Sequence, residues 1–330
     1  MAMNDRRALA LLIAICLMGL SGCGRAEPKK QSAVGFYLDT VITLTAWVED
    51  AQVLDDALKV CGDYENLLSR TREGSDVWRI NHAGGQPVAV SRDTLTILEA
   101  ARQVSERSGG AFDVTVAPLS TQWDFTSGAT VLPDADALAE AAERVDYRRV
   151  EIDGDSVALP EGMMIDLGGI AKGYIADAVK DYLEGRGVKS AILSFGGNIV
   201  AIGEKPDGSP WRVGIQDIDR PTGEYMLVAK NFGGSTVTSG IYERGFELDG
   251  VYYHHILDPK TGWPVQNELA SVTIFSDSSM WGDALATAAF ALGTEAGTAL
   301  IEDMAGIEAV FIARDRSATY TSGAREYMAE

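Results

Sequence analysis

The stretch Phe246–Gly262, FELDGVYYHHILDPKTG, decides how the chain is to be read. Aromatic and β-branched residues flank Asp249-Gly250. An Asp-Gly pair between such runs marks a two-residue hairpin, because both central positions take positive φ. Residues 148–160, RRVEIDGDSVALP, repeat the pattern around Asp153-Gly154. Hairpins join antiparallel strands, so a chain that mixes them with helices departs from regular βαβ alternation. The expected fold class is α+β: a layered fold of largely antiparallel or mixed sheets packed with helices.

The remaining segments fit that frame. Val34–Val48 is rich in β-branched and aromatic residues and reads as a strand. Ala51–Leu68 has helical spacing of its apolar residues, and Asp93–Ser108 and Asp134–Val145 read as further helices. Residues 163–187 read as strand, glycine turn, helix; residues 191–203 as strand, Gly-Gly break, strand. Leu269–Ser276 is a strand and 278–293 a helix. With no repeat or linker after residue 33, one compact domain over 34–330 is expected, with the middle loops as a candidate subdomain.

The formal net charge is -20, which argues against nucleic acid as a partner. Any anionic ligand must therefore be held by local positive features. The N-terminus is a targeting segment. Arg6 and Arg7 precede an apolar run, Ala8–Leu20, too short to span a bilayer comfortably. It ends in LSGC at Cys23, which resembles the lipobox of bacterial lipoproteins. Residues 1–22 then form a lipoprotein signal peptide, Cys23 carries the lipid, and 23–33 is a lipidated tether. The expected location is the membrane surface on the periplasmic or extracytoplasmic side. The plainer alternative is a secretory signal with a chance cysteine. After processing, Cys61 alone would remain, which leaves neither an internal disulfide nor a cysteine-ligated zinc.

Four stretches could carry chemistry, each with a structural alternative. In IDLGGIAKG, 165–173, Asp166 would close a strand and Gly168-Gly169 would turn into a helix whose free N–H groups suit a phosphate. Lys172 sits in the first turn, unfavourable for the helix itself. Either it faces an anion, or it is a solvated lysine on a plain turn. In GDALATAAFALG, 282–293, Asp283 and Thr287 lie four apart on one face of an apolar helix. Either they hold a hard divalent cation such as Mg²⁺ or Ca²⁺, or Asp283 caps a helix starting at Gly282 and Thr287 bonds its own backbone. SFGGN, 194–198, is a bulge or a close approach of backbone to ligand. In YYHHILDPKTG, His254 and His255 point to opposite faces of a strand, so one at most serves a given site as general base; otherwise the segment is a hairpin end and turn. GGAFDVTVAPL, 109–119, contains Asp113 at what could be a strand start, and His82 reads as a surface residue.

Taken together, LDTVITLTAW, GGAFDVTVAPL, IDLGGIAKGYIAD, LSFGGNIVAIG, TSGIYER, HILDPKTGWPV and DALATAAFALG resemble, in that order, the ApbE family of FAD:protein FMN transferases. The resemblance implies an enzyme that binds FAD as substrate with Mg²⁺ and transfers the FMN moiety to a Ser or Thr hydroxyl of an acceptor protein, releasing AMP. Typical acceptors are subunits of extracytoplasmic redox pumps; some members instead hydrolyse FAD. It implies metal ligation by the Gly169 carbonyl, Asp283 and Thr287. It implies FAD contacts at Leu38, Thr40, Trp78, Ala111, Phe112, Asp113, Asp166, Lys172, Gly197, His255 and Leu257. The catalytic residues would be His255, with Asp258 orienting its ring, and Asp283. Two other readings stand beside the transferase: an FAD pyrophosphatase, and a non-catalytic FAD-binding lipoprotein.

Overall fold

The computed structural model describes residues 27–218, 220 and 223–329. Cys23 and the signal segment lie outside them. In chain order the strands are β1 (Lys29–Tyr37), β2 (Thr40–Val48), β3 (Val88–Ala89), β4 (Glu151–Asp153), β5 (Ser156–Ala158), β6 (Ala191–Phe195), β7 (Asn198–Ile202), β8 (Trp211–Gln216), β9 (Tyr225–Asn231), β10 (Gly234–Gly240), β11 (Gly245–Leu248), β12 (Val251–His254), β13 (Leu269–Ser276), β14 (Glu308–Ala313) and β15 (Ala318–Tyr320). The α-helices are α1 (Gln52–Leu68), α2 (Asp76–Asn81), α3 (Arg92–Arg107), α4 (Ala117–Ser120), α5 (Ala135–Ala142), α6 (Ala171–Gly185) and α7 (Ser279–Glu302).

An eight-stranded sheet in the order β1-β2-β6-β7-β10-β13-β14-β15 organises the molecule, and every pairing in it is antiparallel. Its inner face packs against α1, α6 and α7, with α3 behind α7, around Ile42, Leu44, Leu193, Phe195, Phe290 and Phe311. Its outer face is roofed over the β7–β14 half by the β8–β9 ribbon and the C-terminal turn, around Val213, Ile215, Phe275 and Ile312. A satellite core under the middle loops joins Leu119, Trp123, Leu138 and Leu257. The α+β class holds, and α7, though apolar over 24 residues, is a core helix of this domain.

Four local expectations need correction. Val34–Val48 is a hairpin, not one strand: β1 and β2 are joined through Leu38 and Asp39, both at positive φ, 56° and 55°. Without a glycine the turn had no sequence signal. β1 also begins at Lys29, inside the expected tether, because an edge strand accepts polar residues on its solvent side. The strand expected to close at Asp166 is reduced to one bridge, Val116 to Met164. The Asn81 side chain satisfies both main-chain groups of Ile165 instead (2.7 and 2.9 Å). Asp113 starts no strand but makes a side-chain turn onto Thr115 N (2.8 Å).

The two Asp-Gly hairpins form with different registers. In β11–β12, Asp249 and Gly250 are the central pair, both at positive φ (52° and 78°). In β4–β5, Asp153 pairs with Ser156, so the turn moves one residue on, to Gly154-Asp155.

Candidate active site

The expected residues converge at one end of the large sheet. There the β1–β2 turn, the β6–β7 turn, the end of β10, the segment after β12, the start of α6 and the second turn of α7 come together. Gly196 and Gly197 form a two-residue turn at positive φ, 55° and 103°, and a Cβ on Gly196 would lie 2.2 Å from Thr40 Oγ1. Close approach and backbone conformation both require glycine there.

The centre of the site is the contact between α6 and α7. Helix α7 starts at Ser279, one turn ahead of Asp283, and is capped by Ser278. Asp283 is therefore not the cap of its own helix. Its side chain, 3% exposed, crosses to the start of α6, accepting from Gly173 N (3.0 Å) and Lys172 Nζ (3.2 Å). Helix α6 has no side-chain cap of its own, so this carboxylate supplies an acceptor for one of its free N–H groups. Lys172 Nζ also donates to Gly168 O (3.1 Å). The anion that Lys172 faces is thus Asp283. Thr287 lies one turn on. Its hydroxyl bonds Asp283 O (3.3 Å), as the plainer reading expected, and Ser239 Oγ (3.2 Å), and lies 3.9 Å from where a Gly169 Cβ would be. Phe112 closes the other side of Gly169, at 3.1 Å from the same position.

These oxygens fit a hard cation. One buried carboxylate, a hydroxyl and a neighbouring backbone carbonyl are the donors Mg²⁺ accepts, and so few protein donors leave positions for water and phosphate. The Lys172 ammonium lies against Asp283 and Gly168 O, so one positive charge already faces this carboxylate.

The two histidines separate by role. His254 is fully buried; its Nε2 meets Val265 O (3.0 Å) and its Nδ1 accepts from Ile256 N (3.3 Å). A carbonyl only accepts, so Nε2 carries the proton and the ring is neutral. Burial pushes its pKa down to about 4. His255 is half-buried in the cleft, with Nδ1 on Arg244 O (3.3 Å). By the same logic its Nε2 presents a free lone pair. Burial in the concave wall, then the Lys172 and Arg244 charges, hold its pKa below the ordinary histidine value. Asp258 does not orient this ring. Its carboxylate accepts from Lys260 N (2.9 Å) and Thr261 Oγ1 (3.3 Å), closing the Pro-Lys-Thr-Gly turn.

A scan against family models matches the ApbE family over residues 38–311. The chain belongs to the ApbE family. It is 36% identical over 335 residues to the FAD:protein FMN transferase of Treponema pallidum, covering 94% of this chain and 92% of that one. A protein of the same name from Klebsiella pneumoniae is 36% identical over 291 residues, covering 86% and 89%. Among solved structures, the ApbE protein of Thermotoga maritima superposes with a TM-score of 0.84 at 29% identity, over 92% of this chain and all of that one. The flavin transferase ApbE of Vibrio cholerae gives 0.82 at 28%, over 91% and 99%.

Around this ApbE-family centre the other expected positions fall unevenly. Asp166 lines the cleft, held by Gly168 N (2.9 Å) and by Arg70 Nε (3.1 Å). Trp78 is half-buried and stacked on His82, ring centroids 4.2 Å apart. His82 is exposed, as expected, and backs one face of the indole. Leu38 is held in its left-handed conformation by its N–H on Glu65 Oε1 (2.8 Å). Ala111 and Phe112 lead into Asp113, whose oxygens are occupied by Thr115 and by Tyr147 N (2.9 Å). Asp113 shapes its loop, and burial raises its pKa. The Leu257 side chain is committed to the satellite core, which leaves its main chain for a ligand.

Sequence reading passed over three residues. Glu243 leans over Gly197 at 3.3 Å from its Cβ position, reaching solvent within the cleft; burial and Asp283 raise its pKa while Lys172 and Arg244 oppose. Arg244 donates to Asp39 O (3.4 Å), and Arg70 adds a cation beside Asp166. Glu243 and Arg244 stood inside TSGIYER, where the strand pattern gave no sign of which side chains turn inward.

Proposed function

We propose that the chain transfers the FMN moiety of FAD to a Ser or Thr hydroxyl of an acceptor protein, with Mg²⁺, from a lipid anchor at Cys23 on the extracytoplasmic side. The observation that carries this is the Asp283 carboxylate lying against the start of α6, beside Gly169 and Thr287. The relatives' shared name supports the reaction, and the lipobox-like LSGC ending at Cys23 supports the compartment.

In this reading the acceptor oxygen bonds to the FMN phosphorus as that phosphorus loses its bond to the bridging oxygen of the pyrophosphate, which leaves as part of AMP. The hydroxyl proton passes to the free Nε2 of His255. Gly169, Asp283 and Thr287 would hold Mg²⁺, which offsets phosphate charge and so favours AMP departure. Lys172, Arg244 and Arg70 supply the remaining positive field around a dianionic pyrophosphate. Trp78, Leu38 and the main chain of 111–113 bound the flavin dinucleotide.

The test is the full chain with FAD, Mg²⁺ and a candidate acceptor, read by intact mass of the acceptor and chromatography of the nucleotides. The expected result is an FMN mass increment matched by AMP. AMP and free FMN with no adduct would instead make the chain a pyrophosphatase. Asp283→Asn keeps the shape and removes the charge, so turnover should fall about a hundredfold or more, on the scale of losing a principal electrostatic group. Wild-type turnover in the Asn variant would remove Asp283 from the metal.

A further inference from the structure

We infer that the outer face of the β1–β2 hairpin is the docking surface for the acceptor protein, an inference that rests on the transferase reading above. Strand alternation puts Ile42 and Leu44 in the core and turns Val34, Phe36 and Val41 outward, where they are 64, 68 and 55% exposed. They are cross-strand neighbours: Phe36 opposes Val41 and Val34 opposes Thr43. The β8–β9 roof reaches only the far end of this hairpin, where Trp211 meets Trp47 (centroids 5.8 Å). Among the described residues nothing covers the half nearest the turn. Clustered exposed apolar residues on a soluble domain mark a binding surface more often than chance scatter does.

What covers this face follows from its position. The turn that ends it is also a wall of the active site: Arg244 donates to Asp39 O, and Thr40 abuts Gly196. Phe36 is two residues from Leu38 and Val41 two from Asp39, about 7 Å of strand. A protein that brings a hydroxyl to His255 past this turn lays its flanking residues on Phe36, Val41 and Val34. The hairpin's charges are Lys29, Lys30 and Asp39, so it is close to neutral on a chain of net charge -20. An acidic acceptor meets little repulsion there. β1 is also the terminal strand of the sheet among the described residues, which gives an extended segment a main-chain edge. The occupant is therefore an acceptor protein with apolar side chains beside its Ser or Thr.

The experiment compares the full chain with a Phe36→Ser, Val41→Thr double variant. Both side chains are exposed, and an unchanged thermal midpoint confirms folding. The acceptor is any protein that the unaltered chain flavinylates. Its KM should rise about tenfold or more, as expected for losing two buried apolar contacts. FAD affinity and AMP release in the absence of acceptor should stay as they were. An unchanged acceptor KM overturns the inference. An unchanged KM with loss of binding to anionic vesicles assigns the face to the bilayer instead, and weakened FAD binding assigns it to the nucleotide cleft. If the unaltered chain flavinylates nothing, the transferase reading itself fails.

Discussion

His254 and His255 share a peptide bond and little else. His254 is part of the core, neutral, edge-on to Phe290 (centroids 5.6 Å) and bonded at both ring nitrogens. The unfolded chain binds a proton here near 6.5 and the folded chain only near 4, so the folded state binds fewer protons between those values. Stability is lost as pH falls through that window. Between pH 7 and 5 the cost is about 2 kcal/mol. His254→Gln, which cannot titrate, should lack that part of the slope; denaturant midpoints of both chains at the two pH values measure it. Equal slopes would deny the burial argument. His255 makes a different prediction. In the proposed mechanism its Nε2 lone pair is the base, and its lowered pKa keeps that lone pair unprotonated below the usual histidine range. The acid limb of transfer kcat/KM should therefore lie well under 6.5, and His255→Ala should lower kcat by about 100-fold or more. A limb at 6.5 would mean an ordinary, solvated imidazole or another base. From the strand pattern the two residues could be divided by face, and the family resemblance pointed to His255; what each ring touches shows why their roles differ.

At the scale of elements, the site depends on how tightly α6 crosses the start of α7. Gly173 makes the crossing possible: a Cβ there would lie 2.1 Å from Ser279 O and 2.8 Å from Met280 Cα. Asp177, one turn further along α6, accepts from Ser279 N (2.8 Å), Met280 N (3.0 Å) and Ser278 Oγ (2.7 Å), and so serves the free N–H groups of α7. Each helix thus caps the other, Asp177 for α7 and Asp283 for α6. Gly173→Ala should push the helices apart, costing on the order of 1–3 kcal/mol, and should reduce FAD turnover by moving Asp283. Both are read on one preparation, by denaturant melt and AMP release; an unaffected turnover would show that the crossing tolerates separation. Much of this level was legible. Helical periodicity located α1 and α3 to within a residue or two, and the i,i+4 spacing put Asp283 and Thr287 on one face. The Leu38–Asp39 turn was not, because two non-glycine residues take positive φ where distant partners meet them, Glu65 at Leu38 N and Arg244 at Asp39 O. Nor was the continuation of α7 past Gly293. That glycine breaks the helix geometry, but Glu268 caps the second half through Thr294 N (2.9 Å), a partner no local pattern reveals.

At the scale of the whole molecule, an enzyme of net charge -20 must attract a substrate with a dianionic pyrophosphate. Locally that charge is offset: Lys172, Arg244 and Arg70 stand beside Asp283, Asp166 and Glu243, and a bound Mg²⁺ would tip the cleft positive. These fields act over different distances. At low salt the screening length is about 30 Å, comparable to the domain, and FAD approaches against the total charge. Near 0.15 M it shrinks to about 8 Å, so distant carboxylates are screened while cations lining the cleft still act. Association with FAD should therefore speed up as ionic strength rises from about 0.01 to 0.15 M, at saturating Mg²⁺. Stopped-flow flavin fluorescence measures this directly. A rate that falls over the range would mean that the cleft's positive field dominates even at long distance, and that the acidic surface serves solubility without opposing the substrate. A rate that rises, with little change in dissociation, would locate the repulsion in the encounter and leave the bound complex to the short-range contacts around Asp283.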